Sequence, residues 1–243
     1  MRARTARGAA AFFVMALTGA AHAQSDRGYE CLIHPRVEVS VSSAVPGVVH
    51  RLDVARGDRV KEGQTLVRLV SGIERAAYDL AKARAEFAER RNERNTELVE
   101  EKLISSNEKD ELETDALLAQ LEMREALEVL RLRTIRSPIA GVVADIRIDP
   151  GERVGEDEMM RITQLDPLEV EVVVPVALYG SIEPGSTGVV HPERPFEGDY
   201  EAKVTTVDQV VDAASGTFGV RLELPNPGQE LPGGLKCTVA FPE

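Results

Sequence analysis

Tryptophan is absent from this sequence, and aromatic residues make up only 4% of it. Acids outnumber bases, 41 Asp and Glu against 29 Lys and Arg, for a formal charge of −12. No basic stripe interrupts that excess, which argues against a nucleic-acid partner. Beyond residue 23 no apolar run approaches the roughly 20 residues that a membrane-spanning helix needs. There are only two cysteines, Cys31 and Cys237. No CxxC or paired-histidine spacing occurs, and His34, His50 and His191 are scattered, so no metal site is expected. Ser215-Gly216-Thr217 lacks a nucleophile-elbow context. With no catalytic constellation the chain is not expected to be an enzyme, and no cofactor is expected.

What is present begins with an export signal. Arg2, Arg4 and Arg7 precede about a dozen apolar residues, and Ala21-His22-Ala23 offers a small-x-small cleavage pattern. Residues 1–23 are read as a signal peptide, with an uncleaved anchor as the alternative. The mature chain loses three arginines, taking the charge from −12 to −15. Export places the two cysteines in an oxidising compartment, where they can pair; two unrelated buried thiols are the other reading.

One short pattern occurs twice. VPGVVHRLDVARGDRV at 45–60 and IAGVVADIRIDPGERV at 139–154 align on Gly47 and Gly141, with Gly-Val-Val at the start and Gly-x-Arg-Val ten residues on. Each ends on a similar strand, Leu66-Val67-Arg68-Leu69 or Met159-Met160-Arg161-Ile162, after a one-residue gap. Between the copies, residues 72–134 have no Pro and no Gly after Gly72, and are rich in Ala, Leu, Glu, Arg and Lys. That is the composition of long helices. Leu112, Ala116, Ala119, Met123, Ala126 and Leu130 form a heptad seam. In the first half Ile73, Leu80 and Phe87 recur at sevens, and Arg94 continues that line, where a buried residue is expected. Ser105 followed by Glu108 reads as a capping box that starts a second helix.

The fold expected is mainly β with a long α-helical hairpin. Residues 37–70 plus 137–163 form a lipoyl/biotinyl-like β-sandwich, because neither copy can bury a face alone. Residues 71–136 form a coiled-coil hairpin that splits it. Residues 164–243 form a small β-barrel, since alternating Leu168, Val170, Val172 and Val174 and later short strands are separated by Pro-Gly turns. A short helix is expected at 177–182. Residues 24–36 are an N-terminal segment near the barrel, where 29–33 is a neighbour for the strand containing Cys237, a placement that would bring Cys31 to it.

This order of parts resembles the periplasmic adaptors of bacterial tripartite efflux pumps, the HlyD-like membrane fusion proteins. The stretches that carry the resemblance are VPGVVHRLDVARGDRVKEGQTLVRL, TIRSPIAGVVADIRIDPGERV and DAASGTFGVRLELPNPGQELPGGLKCTV, and it covers nearly all of the mature chain. It implies a location in the periplasm, peripheral to the inner membrane, after cleavage near Ala23. It implies three partners: an inner-membrane transporter, of RND type before ABC or other classes; a TolC-type outer-membrane channel; and copies of the chain in a ring of about six. Family tips carry Arg, Leu and Ser at the spacing of Arg94, Leu98 and Ser105, which implies channel docking there. The given sequence ends at Glu243, just after the barrel, and the membrane-proximal domain that many members add is expected to be missing from it. Two other readings stay open: a lipoyl or biotinyl carrier, for which Lys61 lies in the wrong turn, and a passive spacer in which Arg94, Leu98 and Ser105 are a solvated Arg, a tip core residue and a cap.

Overall fold

A computed structural model describes residues 28–100 and 105–242, with backbone alone at 96–100. The expected signal peptide lies outside the described residues. In chain order the strands before the helices are β1 (Tyr29–Val41), β2 (Gly47–Leu52), β3 (Arg59–Val60) and β4 (Thr65–Leu69). Two helices follow, α1 (Gly72–Glu100) and α2 (Ser106–Arg131). Then come β5 (Thr134–Arg136), β6 (Gly141–Ile146), β7 (Arg153–Val154), β8 (Met160–Pro175), β9 (Thr187–Pro192), β10 (Tyr200–Val207), β11 (Thr217–Leu224) and β12 (Leu235–Ala240).

The repeat folds by exchange. β2 of the first copy pairs with β7 of the second, Gly47 opposite Val154; β6 of the second pairs with β3 of the first, Gly141 opposite Val60. Within each copy the pairing also repeats, Val49 opposite Leu69 and Val143 opposite Ile162, each followed by a register shift. Even the loop hydrogen bonds match: Gly57 N–H donates to the Val143 carbonyl, and Gly151 N–H to that of Val49, both 2.9 Å. Gly57 and Gly151 take φ of +90° and +93°, a region that favours glycine. The copies thus form two sheets related by an internal twofold. They enclose Val49, Leu66, Val67, Val143, Met160 and Ile162, each at most 2% exposed.

Gly141 is required by proximity. A Cβ there would lie 2.5 Å from the Thr163 carbonyl oxygen, on the neighbouring backbone. Its counterpart Gly47 would meet only side-chain ends, Arg133 Nη1 and Leu69 Cδ1, both at 2.9 Å.

The second core lies in a six-stranded barrel of order β1-β12-β9-β10-β11-β8, closed by the β1–β8 pairing. The period-2 alternation of β8 sends Leu168, Val170, Val172 and Val174 inward, all 0% exposed, against Val220, Leu222 and Val239. Closure leaves no free edge. The barrel and the sandwich share β1 and β8. These pair from Cys31–Val172 in the barrel to Val41–Met160 in the sandwich, with a register shift between Pro35 and Val37. Where sequence patterning suggests boundaries near 36 and 163, the backbone runs on without a break, because a strand's side-chain alternation can serve two cores in succession.

The short helix expected at 177–182 is a single 3-10 turn, Val176–Leu178. Gly180 at φ +91° and Pro184 interrupt helical geometry there.

Cys31 and Cys237 face each other across β1 and β12, with Cα atoms 4.9 Å apart and a disulfide between the sulfurs. Both are buried among the barrel's apolar residues.

Candidate functional site

The helices carry the features that the sandwich and barrel do not use. α1 and α2 pack side by side in opposite directions, as the cross-contacts Arg91–Asp115 and Gln120 Nε2 to Glu89 Oε2 (2.7 Å) require. The connecting residues 101–104 lie outside the described residues.

On α2 the less exposed positions include all six residues of the seam its sequence predicts, Leu112, Ala116, Ala119, Met123, Ala126 and Leu130, together with Lys109 and Leu127. On α1 the expectation fails. The side facing α2 is Tyr78, Ala81, Ala85, Ala88, Asn92 and Asn95, spaced three and four apart. Ile73, Leu80 and Phe87, taken from the sequence as seam residues, are 83%, 56% and 55% exposed, and Arg94 lies with them on the solvent side. The physical reason is size. Ala85 and Ala116, each 4% exposed, let the two backbones approach closely. A seam of Leu and Phe would hold them apart. Hydrophobicity alone therefore selects the wrong face of α1.

An outer stripe results. Ile73, Ala76, Leu80, Ala83 and Phe87 recur three and four apart, all exposed. α2 exposes Leu118 and Leu121 on its outer side, 53% and 45% exposed, followed on the same face by Glu125 and Glu128 and then by Leu132 just past the helix. At 100° per residue the outer residues lie roughly 130° from the inner seam on α1 and roughly 150° on α2. The helix pair is thus apolar along its middle and exposes apolar residues on both outer sides, in a continuous stripe on α1 and a shorter patch on α2.

The base of the pair is clamped. Arg133, just past α2, donates from Nη2 to Glu74 of α1 (2.7 Å) and from Nη1 to the Pro46 carbonyl (2.8 Å), joining both helices to the sandwich. Sequence reading misses this pair, since residues 59 positions apart give no local signal.

At the far end, the Arg94 Nε donates to the Arg90 carbonyl one turn back, at 3.3 Å. Leu98 lies in α1, but its side chain is outside the described residues. Ser105 is the N-cap of α2, and its Oγ accepts from the Glu108 amide at 3.2 Å. Such a cap is worth about 1 kcal/mol. Arg94 and Ser105 thus both lie toward the end of the pair remote from the sandwich.

Charge elsewhere is arranged in surface networks. On the sandwich, a hydrogen bond from Arg161 holds the Glu158 carboxyl below the usual glutamate range, with Arg147 adding to the effect. Arg147 likewise lowers Asp145 by a side-chain hydrogen bond. Among the described residues no group of three or more His, Cys, Asp or Glu is placed to hold a metal ion. No described helix is long and apolar enough to cross a membrane.

Comparison with known proteins places these features in a family. Residues 37–163, just over half of the chain, match the CzcB-like barrel-sandwich hybrid domain, and 168–243 match the CusB-like β-barrel domain. The antibiotic efflux pump periplasmic linker protein ArpA of Pseudomonas putida is 25% identical over 211 residues, covering 80% of this chain and 57% of its own. The multidrug resistance protein MexA of Pseudomonas aeruginosa is 25% identical over 215 residues, covering 80% and 55%. The chain thus spans about half the length of the curated relatives it matches. In fold it is similar to a MacA–MexA chimera carrying the Pseudomonas aeruginosa MexA α-hairpin domain, with TM-score 0.73, 20% identity, and coverage of 88% of this chain and 79% of that one. A barrel-sandwich hybrid interrupted by two long helices, followed by a closed six-stranded barrel, with both domain models matched in order, makes this chain a member of the periplasmic adaptor, or membrane fusion protein, family.

Proposed function

We propose that the chain acts as an efflux adaptor, forming with its own copies part of the wall of a conduit between an inner-membrane transporter and an outer-membrane channel. The transporter is of RND type and the channel of TolC type. Residues 1–23 direct export to the periplasm and are removed there. The observation that carries this reading is the exposure of apolar residues on both outer sides of the helix pair, Ile73, Leu80 and Phe87 on one and Leu118 and Leu121 on the other. Each set serves one neighbour, and a contact between unlike edges repeats around a ring, of about six copies here, until rotation closes it. The helices then act as one hairpin whose remote end, with Arg94, Leu98 and Ser105, meets the channel. An Arg that lies outside the inter-helix seam is available to carbonyl oxygens of a partner. The protein performs no chemistry in this role; it supplies a wall and a coupling, and the transporter supplies the energy.

Paired cysteines test the ring. Leu80→Cys on one helix and Leu121→Cys on the other, in one chain that retains Cys31 and Cys237, should give oxidised ladders of linked chains in cells containing transporter and channel. Monomer at every oxidant level, with both new thiols reactive to maleimide, would refute the edge-to-edge arrangement.

A further inference from the structure

Between the foot of the helices and the outer face of the sandwich lies a half-open cleft of about 620 Å³. That is ample for a small organic molecule, since ligand sites run from about 300 to 1,000 Å³. Its lining contains five arginines, Arg68, Arg75, Arg131, Arg133 and Arg136, together with His50 and no carboxylate. In a chain with 41 acids and 29 bases that local composition is inverted.

Carboxylates beside the cleft neutralise only part of this charge. Asp53 pairs with Arg68, Glu74 with Arg133 and Glu128 with Arg131. Arg136 donates to the Gly63 carbonyl and Thr65 Oγ1, contacts that leave its charge unpaired. The Arg75 guanidinium makes no hydrogen bond or ion pair among the described residues, and only its backbone N–H is engaged, by the Ser71 carbonyl. Arg133 is held by Glu74 and the Pro46 carbonyl, so its charge is the most fully engaged of the five. Leu69, Leu127 and Leu130 supply an apolar part of the wall, and Ser71 and Thr134 complete it. Guanidinium groups match phosphate and carboxylate in bidentate fashion, while the leucines favour a hydrocarbon or aromatic body.

We propose that this cleft binds an amphipathic organic anion, a phosphate or carboxylate carried on an apolar body. Arg75 and Arg136, the two lining arginines without a carboxylate partner, receive the anion, and the three leucines receive the body. A free metabolite or exported compound and an anionic lipid share this chemistry, and the test separates them.

The test uses the purified exported chain, so its result is independent of ring assembly. Decyl phosphate, titrated below its micelle concentration, should bind by calorimetry at one site per chain. Arg75→Gln should weaken that binding at least tenfold, whereas Arg84→Gln, on α1 but outside the cleft, should leave it unchanged. Sedimentation with phosphatidylglycerol vesicles forms the second arm. Vesicle binding lost with Arg75→Gln assigns the site to lipid; decyl phosphate binding without vesicle binding assigns it to a free anion. Equal binding of neutral decyl maltoside, no binding of decyl phosphate, or an Arg75→Gln protein that binds like the parent would each overturn the proposal.

Discussion

Reducing the Cys31–Cys237 bridge alters the unfolded chain more than the folded one, which makes it a clean perturbation. In the folded state the two residues are already opposite one another, within a register running from Tyr29–Val239 to Ile33–Leu235. In the unfolded state the bridge closes a loop with a sequence separation of 206. The chain-entropy relation then gives a stabilisation of about 5 kcal/mol, at the upper end of the range of about 0–5 found in practice. With a urea slope of about 2 kcal/mol per molar, that becomes a midpoint shift of about 2.5 M between oxidised and reduced protein. Far-UV circular dichroism is the suitable probe, because there is no tryptophan to report by fluorescence. Reduction changes no side-chain volume, whereas replacing buried cysteines would add a cavity or an unsatisfied hydroxyl. Protein isolated from the periplasm and unfolded without reductant should show no free thiol. Two thiols per chain, or coincident urea midpoints with and without reductant, would refute the reasoning.

Four further outcomes are expected. Gly141→Ala forces apart two backbones 2.5 Å from the new Cβ and should cost about 1–3 kcal/mol, while Gly47→Ala, meeting only flexible side-chain ends, should cost less; equal thermal shifts would contradict the asymmetry. Ala85→Leu should separate the helices and lower the melting temperature, whereas Leu80→Ala on the outer stripe should leave stability within about 0.5 kcal/mol and impair assembly; the reverse ranking would restore the seam read from sequence. Arg94→Asp should fold and be exported normally, with a stability change under about 0.5 kcal/mol, yet lose crosslinking to the channel; normal crosslinking and drug resistance would remove the docking role. Glu158, held below the usual glutamate range by Arg161, contributes stability above its unfolded-state pKa that is lost as pH falls through the lower folded value. Its carboxyl should titrate below ordinary glutamates by NMR and return to them in Arg161→Gln; an unmoved midpoint would show that the hydrogen bond does not set it.

Much of this molecule is legible in its sequence, and the reasons are local. Alternation along Leu168, Val170, Val172 and Val174 reports a half-buried strand, because side chains point to opposite faces at every step. The duplicated Gly-Val-Val and Gly-x-Arg-Val units mark one motif used twice, and positive φ at Gly57 and Gly151 explains a glycine in each turn. Ser105 and Glu108 mark a helix start through a hydrogen bond spanning only three residues. The candidate site is less legible. Arg94 is assigned to the tip by its neighbours in sequence, but its face on α1 depends on which stripe meets α2. That choice follows from how closely Ala85 and Ala116 let two backbones approach, and hydrophobicity does not encode it.

Contacts between distant segments were decided only by the tertiary structure. The exchange that sets Gly47 against Val154 and Gly141 against Val60, the continuity of β1 and β8 through two cores, and the Glu74–Arg133 clamp join residues that no local pattern relates. The gathering of five arginines around one cleft is of the same kind, since Arg68, Arg75 and Arg131 come from three separate elements. Sequence by itself determined most of the strands, helices and turns, the short helix expected at 177–182 excepted, because those preferences act over a few residues. Which faces met, and so which apolar and charged surfaces remained open to a partner, was determined by packing the whole chain at once.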